Sequence, residues 1–193
     1  MIMKVEPIHK ALGALGFSAG ASRRAGRTDH LALPQGRGFT QDVAIEYAEL
    51  ERLVLVCGRY KGVDERVSER LVDEELSIGD FVMSGGEPAA LCVLDAVARL
   101  LPGVVGTFDS VESDSFHSGL LDAPYYTRPA EYQGWRVPDV LLSGNHAAIA
   151  RHRREQALRR TWERRPELLE GARLSVEDRR FIATLEREPR VSR

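Results

Sequence analysis

The sequence predicts an α/β protein with a mostly parallel sheet, followed by a small all-helical domain. Three observations favour this fold class. The run Arg52–Cys57 is short, apolar and rich in β-branched residues, which is typical of a strand covered on both faces. Segments with helical spacing alternate with such runs through the first half of the chain. Beyond a polar stretch, the apolar residues fit helices only.

The elements before this strand are short. Residues 3–16 have apolar side chains at helical spacing and predict a helix. Residues 18–30 are polar and glycine-rich and predict a loop, which leaves Leu31–Leu33 as a brief apolar run. Residues 40–50 predict a second helix that begins at a Thr40 cap.

After the strand at residues 52–57, turns and short elements follow one another. Asp64 is placed to open a short helix, and residues 73–76 lead into a turn at 77–80. Phe81–Met83 predicts another brief strand. Residues 87–100 predict a mostly apolar helix with a proline near its start.

The composition of the sequence changes after the proline and glycine at positions 102 and 103. Residues 106–120 are polar, acidic and without period, which predicts a mobile connector. The rest predicts helices at about 145–163, 166–171 and 175–187, the last with a Ser175 cap. The predicted organisation is a first domain at 1–104, a flexible linker at 105–120 and a helical domain at 121–193.

Composition and charge exclude several classes of protein. The hydrophobic fraction of 43% is ordinary for a globular domain, and no run of about 18 apolar residues predicts a membrane span. Cys57 and Cys92 both lie in apolar runs, which favours buried, reduced thiols and a cytoplasmic location over a disulfide. The net charge of −2 conceals an acidic stretch at 64–80 and an arginine-rich one at 145–165.

Three glycine-rich loops follow predicted strands or lie near their ends, at 34–36, at 58–62 and at 77–79 with 84–86. Ligands of open α/β sheets bind at the carboxyl ends of strands, where glycine lets the backbone approach them closely. The chain has neither a G-x-G-x-x-G fingerprint nor a phosphate loop, which disfavours a pyrophosphate site. A small ligand whose adenine is read by backbone groups fits better; the simpler alternative is that these glycines only form turns.

Long ordered motifs in the sequence resemble those of the bacterial tRNA (guanine-N1)-methyltransferase family, TrmD. They are Leu55–Arg66, Ser77–Glu87, Asp114–Phe116, Tyr126–Pro129 and Leu141–His146, and the resemblance extends over nearly the whole chain.

The resemblance implies a deep-trefoil-knotted α/β domain of the SPOUT class, S-adenosylmethionine as methyl donor, and a homodimer whose active site lies at the subunit interface. The product would be 1-methylguanosine at the position 3′ of the anticodon (position 37) of tRNA. Mg²⁺ can assist in this family, although the sequence holds no dedicated cage of metal ligands and we assign none. The cofactor-binding residues that it implies are Leu33, Pro34, Gly58, Tyr60, Gly62, Ser77, Ile78, Gly79, Asp80, Phe81, Val82, Met83, Gly85, Gly86 and Ala89.

Two residues match the family's catalytic pair. Asp114 would act as the general base that removes the proton from guanine N1, and exclusion of water makes a carboxylate a stronger base. Arg99 would stabilise the charge that builds on the guanine carbonyl oxygen. The simpler readings are that Asp114 is a solvated aspartate and that Arg99 complements the C-terminal dipole of its helix.

The arginine-rich helix suggests contacts to RNA phosphates through Arg151, Arg153, Arg154, Arg159 and Arg160, with a salt-bridged solvent face as the alternative.

The chain departs from the family pattern in several places. Family members usually have a further N-terminal segment that holds the first core strand. Lys61 stands where an acidic residue is usual, Leu33 replaces a serine, and a shifted proline leaves Ala89 to make a cofactor contact. A catalytically inactive RNA-binding remnant and a knotted methyltransferase for another RNA site therefore remain as alternatives. The missing phosphate motifs disfavour an ordinary doubly wound nucleotide-binding domain.

Overall fold

The computed structural model describes residues 1–17, 27–104 and 114–187. The chain forms two compact units, Met1–Gly106 and Thr107–Arg193, each of which is described by itself. Among the described residues, no helix has the length and apolar character needed to cross a bilayer.

The first unit is an α/β domain with a small parallel sheet. Its helices and strands are α1 (Val5–Ala14), β1 (Arg27–Gly38), α2 (Gln41–Ala48), β2 (Arg52–Val56), α3 (Glu65–Arg70), β3 (Glu74–Ser77) and α4 (Glu87–Ala98). Strand β1 lies between β2 and β3 and is parallel to both. The predictions of a parallel sheet and of these four helices are confirmed.

Three predictions about strands are wrong. Residues 27–30, predicted as loop, belong to β1, which is stabilised by backbone pairing on both sides. Residues 74–77 form β3 instead of leading into a turn, because they pair with β1. The predicted strand Phe81–Met83 is irregular, and Val82 is 89% exposed because no neighbouring strand covers it.

Alternating residues of β2 pack on opposite faces of the sheet. Leu53 and Leu55 contact the cluster formed by α2, α4 and Leu76, whereas Val54 and Val56 contact the cluster formed by α1 and α3. The period of two in a strand places successive side chains on opposite faces, so helices on both sides require the apolar run that identifies β2.

Local capping signals in the sequence fix the helix starts. The Thr40 side chain accepts a hydrogen bond from the Val43 N–H, and Asp64 does the same for Arg66. Both caps were predicted, because short polar side chains satisfy backbone donors that the first turn leaves unpaired. Cys57 is partly buried, but Cys92 is exposed, so the prediction of a buried thiol is wrong for Cys92; it lies on the outer face of α4.

The second unit is mainly helical. It contains α5 (Asp139–Leu142), α6 (His146–Arg164), α7 (Leu168–Gly171) and α8 (Val176–Leu185), and a hairpin of β4 (Glu131–Tyr132) and β5 (Trp135–Arg136) that an all-helical prediction missed. Helix α6 packs on α8, and Leu158 and Leu185 are buried. Ser175 and Asp178 form the predicted capping box at the start of α8.

Residues 105–113 of the predicted linker lie outside the described residues. Residues 114–120, the described part of the predicted linker, form a hydrogen-bonded turn in which the Phe116 N–H donates to the Leu120 carbonyl at 2.7 Å. Leu120 is buried, and the Leu121 N–H donates to the Thr161 hydroxyl at 2.9 Å. This part of the chain is therefore anchored to α6.

Candidate functional site

The first unit contains an open cavity of about 150 Å³ near the carboxyl ends of β2 and β3. Strand β1 also contributes to the wall of this cavity. Its register with β3 shifts between Ala32 and Arg37, so that Leu33 and Pro34 reach the cavity. Gly36 permits this arrangement, because a Cβ there would lie 2.4 Å from the backbone of Glu75 and Leu76.

Two of the cavity loops are joined directly to one another. Arg59 and Gly85 form an antiparallel β-bridge, and the Gly86 N–H donates to the Gly58 carbonyl at 2.8 Å. The Arg59 Nε donates to Glu87 Oε1 at 2.8 Å, which adds an ion pair across the same junction. Loops that are close in space but distant in sequence are thus held in one rim.

Close backbone approach makes glycine necessary on this rim. A Cβ on Gly86 would lie 2.9 Å from the Cα of Cys57, closer than real Cβ atoms come. Gly79 has a φ of 148°, which side chains rarely adopt. Tyr60 has a φ of 65°, and this left-handed conformation is uncommon for a bulky residue and is often found at functional sites.

The walls offer backbone groups, small side chains and apolar surface. The Ser77 hydroxyl accepts from the Gly79 N–H and donates to the Gly79 carbonyl, both at 3.3 Å, which fixes that turn. Burial raises the pKa of the neighbouring Cys57 thiol, which favours its neutral form. Such walls suit an uncharged aromatic ring system read by main-chain groups.

The structure brings together around this cavity all the predicted cofactor residues except Asp80, which is exposed and does not line it. Their role as ligands stays a prediction. Sequence reasoning did not name five further lining residues: Arg59, Lys61, Val63, Leu76 and Ser84. Arg59, Lys61 and Ser84 lie within the glycine-rich loops, and Val63 and Leu76 directly adjoin them, so their position beside predicted residues was the available signal.

The two predicted catalytic residues belong to different units. Arg99 is exposed at the C-terminal cap of α4 in the first unit. Asp114 is partly buried in the second unit, where its backbone carbonyl accepts from the His117 N–H at 3.4 Å. The local turn thus fixes the backbone that carries the Asp114 carboxylate.

The five predicted RNA-binding arginines differ in what they contact. Arg154 donates to Asp178 and to the Arg173 carbonyl, and Arg160 donates to the Asp122 carbonyl at 3.0 Å. Arg153 lies over the ring of Tyr125, with its guanidinium carbon 5.6 Å from the ring centroid. Arg151 is exposed, and Arg159 is partly buried.

A metal centre has no obvious position in the described ranges 1–17, 27–104 and 114–187. Within them, no group of three or more His, Cys, Asp or Glu side chains is arranged to hold a metal ion.

Comparison with known proteins identifies the family. The profile of the family described as tRNA (Guanine-1)-methyltransferase TrmD matches residues 1–171. A tRNA (guanine-N(1)-)-methyltransferase of Syntrophotalea carbinolica is 55% identical over 188 residues, which are 97% of this chain and 74% of that protein. The corresponding protein of Neisseria meningitidis serogroup B is 51% identical over 190 residues, 98% of this chain and 75% of the relative.

A third relative, the tRNA (guanine-N(1)-)-methyltransferase of Symbiobacterium thermophilum, is 53% identical over 184 residues, 94% of this chain and 73% of its own length. The match to the family profile covers the first unit and extends into the second as far as residue 171, and the identity to these relatives extends over nearly all of the sequence. The chain belongs to the TrmD family of tRNA (guanine-1)-methyltransferases.

Proposed function

We propose that this chain transfers a methyl group from S-adenosylmethionine to N1 of the guanine that follows the anticodon (position 37) in tRNA. The observation that carries the proposal is the single cavity formed by the glycine-rich loops in a chain that belongs to this family. The relatives that match over nearly the whole chain have names that specify methylation of guanine N1 in tRNA.

The chemistry of the cavity fits this methyl donor. A backbone carbonyl that accepts one hydrogen bond within the loops, such as that of Gly58, keeps a second lone pair that can accept from the amino group of an adenine, and apolar residues such as Ile78 can pack on its ring. The donor supplies a methyl group on a sulfonium, whose sulfur becomes a neutral thioether after transfer. We further propose that the joined loops at 58–62 and 84–86 are part of the deep trefoil knot of the family, which the bridge between Arg59 and Gly85 supports.

In this mechanism one side chain of the protein accepts a proton and another stabilises a developing charge. The Asp114 carboxylate accepts the proton of guanine N1, and the electron pair freed on N1 forms the new bond to the methyl carbon. The Arg99 guanidinium stabilises negative charge on the guanine carbonyl oxygen. Fixing both reactants in line supplies much of the rate, because it converts a bimolecular encounter into a unimolecular step.

The exposed face of α4 supports a homodimer, and we propose that its active site lies at the subunit interface, as the resemblance to the family implies. Leu91 and Leu94 are 64% and 59% exposed, and their spacing of three residues places them on one face of the helix. Leucines so exposed on neighbouring turns favour a protein partner, and a second copy of this chain fits the proposal.

For tRNA, we propose that the helical domain at 121–193 contacts phosphates through the surface of α6. Arg151 and Arg153 are the strongest candidates, since both are exposed and the ring of Tyr125 beside Arg153 adds a surface for base stacking. Arg154 and Arg160 also have internal partners, so their contribution to RNA binding is expected to be smaller.

Two measurements test this function. Calorimetry with S-adenosylmethionine should show saturable binding, and its absence at millimolar donor would favour an inactive RNA-binding protein. Methyl transfer is then measured on unmodified tRNA with guanine after the anticodon and on a matched tRNA with adenine there. Only the first should be methylated, and methylation elsewhere would favour a different RNA site.

The same assay tests the predicted base. Asp114→Asn should lower turnover by about a hundredfold or more while S-adenosylmethionine still binds. Asp139→Asn is the matched control, because Asp139 is an exposed aspartate of the same unit. An Asp114→Asn protein with the rate of the unsubstituted chain would remove Asp114 from the mechanism. Repeating the assay with and without Mg²⁺ measures whether a divalent cation assists the reaction. We also propose that the reaction takes place in the cytoplasm.

A further inference from the structure

The described cavity carries a positive charge that its own walls do not neutralise. Its lining residues include two cations, Arg59 and Lys61, and none of them is acidic. Arg59 is paired with Glu87 at 2.8 Å, so this arginine contributes little net charge. Within the described part of the chain, no carboxylate lies within ion-pair distance of the Lys61 ammonium, and Lys61 therefore sets the sign of the charge in the cavity.

The backbone holds Lys61 at the cavity wall. It lies between Tyr60 and Gly62, and its N–H donates to the Met1 carbonyl at 3.2 Å. The Gly62 carbonyl accepts from the Met3 N–H at 2.9 Å, so the loop is fixed on both sides of the lysine. The side chain is exposed, so solvent screens the field of its ammonium group.

The proposed methyl donor and its product differ by one charge. S-adenosylmethionine carries a sulfonium, whereas S-adenosylhomocysteine has a neutral thioether and otherwise the same charged groups. A fixed cation in the cavity acts on the carboxylate and the amine of both ligands alike. The ratio of the two affinities therefore isolates the interaction between the cation and the sulfonium.

On the basis of the proposed function, we propose that Lys61 is a specificity-determining residue that lowers the affinity of the cavity for the methyl donor relative to its affinity for the demethylated product. Repulsion between the ammonium and the sulfonium weakens donor binding and leaves product binding nearly unchanged. The chain is then more strongly inhibited by its own product than a variant with a neutral or acidic residue at this position.

The size of the effect follows from Coulomb's law. Two unit charges in the same solvent-screened cavity change an affinity by about two- to fivefold. A neutral side chain removes this repulsion, and an acidic one converts it into an attraction of similar size. The ratio of the dissociation constants, donor over product, should fall by about two- to fivefold in Lys61→Gln and by about that factor again in Lys61→Glu.

Calorimetric titrations of both ligands into the full chain test this. They compare the unsubstituted protein with Lys61→Gln and Lys61→Glu, and with Lys10→Gln as the matched control on the exposed surface of α1. The control should leave the ratio unchanged, and the differences among the Lys61 variants should shrink at high salt. The product-inhibition constant for tRNA methylation, measured relative to the KM for the donor, should rise in the same order.

The outcomes separate this inference from the function on which it rests. If both ligands bind and their ratio is the same in all Lys61 variants, the role of Lys61 is overturned and the proposed function stands. If Lys61→Gln weakens both ligands equally, the lysine contacts a group that they share, and the specificity role is also overturned. If neither ligand binds to the unsubstituted chain, the proposed function fails, and the role of Lys61 fails with it.

Discussion

Arg154 donates to both carboxylate oxygens of Asp178, from Nε to Oδ1 at 3.1 Å and from Nη2 to Oδ2 at 2.9 Å. Asp178 also accepts from the Ser175 N–H at 2.8 Å within the capping box of α8. Its side chain is 9% exposed, against 36% for Arg154. A guanidinium that sequence pattern assigns to RNA thus also ties α6 to the start of α8.

The first prediction is that Asp178→Asn lowers the free energy of unfolding of the chain by about 2 kcal/mol. The change removes a charged hydrogen-bonded pair and weakens the capping box, and solvent access to Arg154 keeps the loss moderate. Urea denaturation followed by circular dichroism measures it. Glu177→Gln alters the exposed neighbour and should cost much less. Equal losses in the two variants would contradict the role of the pair.

The same carboxylate should make stability depend on pH. The hydrogen bond from Arg154 holds the pKa of Asp178 below its ordinary value, with help from the Ser175 N–H. Its folded-state pKa lies below the unfolded value of about 3.9, so its contribution is complete above that value and is lost as the pH falls through the folded pKa.

The measurement is the urea midpoint of the unsubstituted chain and of Asp178→Asn at a series of pH values. The gap between the two should be constant near neutral pH and should close in acid, below about pH 4. Other carboxylates with depressed pKa values, such as Asp64 at about 2, are present in both proteins and cancel in the difference. A gap that keeps its size in acid would show that the Asp178 charge does not stabilise the fold.

A buried hydroxyl provides the third prediction. Thr161 is fully buried, accepts from the Leu121 N–H at 2.9 Å and donates to the Ala157 carbonyl at 2.7 Å. Thr161→Val leaves the Leu121 N–H without an acceptor, and the expected cost is about 1–3 kcal/mol.

Amide hydrogen exchange at Leu121 separates this effect from a change in packing. Thr161→Val should accelerate exchange at that amide, whereas the control Thr161→Ser keeps the hydroxyl and should preserve its protection. Equal protection in both variants would show that the hydroxyl does not anchor residues 120 and 121 to α6.

The fourth prediction concerns the ion pair on the cavity rim. The double variant Arg59→Met/Glu87→Gln removes the pair without changing the net charge, and it should weaken both S-adenosylmethionine and S-adenosylhomocysteine by about two- to fivefold. Both side chains are about half exposed or more, so the stability of the fold should change little.

Arg66→Met/Asp64→Asn is the matched control, because it also removes an ion pair without changing the net charge, and asparagine can still cap α3. The pair between Arg66 and Asp64 is 2.7 Å long and does not line the cavity. The control should leave both ligand affinities unchanged. If it weakens them as much as the variant at Arg59 and Glu87 does, the rim pair has no particular role in shaping the cavity.

Local signals predicted the helices of this chain well. Thr40, Asp64 and Ser175 each cap the helix that follows them. Such a cap is readable from sequence because the side-chain oxygen and the N–H that it accepts from lie within one helical turn of each other. The strand Arg52–Val56 was equally clear, since burial on both faces leaves a continuous apolar run.

The strands without such a run were missed for a physical reason. Residues 27–30 of β1 and residues 74–77 of β3 are mostly polar. They are strands because 27–30 pair with β2 and 74–77 pair with β1, in both cases across more than twenty positions of sequence. Phe81–Met83 shows the opposite error: its apolar residues suggested a strand, but among the described residues they pair with no other strand, and they border the cavity.

The sequence by itself determined the helices and their caps, the glycine-rich loops and the family motifs that those loops carry. Only the tertiary structure decided that β1 lies between β2 and β3, that the loops near residues 34, 58, 78 and 85 surround one cavity, and that Arg154 and Arg160 have internal partners. The physical reason is the separation along the chain between the groups that interact. A cap or a helical period depends on neighbours within a few residues, whereas strand pairing, loop closure and ion pairs join groups that are far apart along the chain.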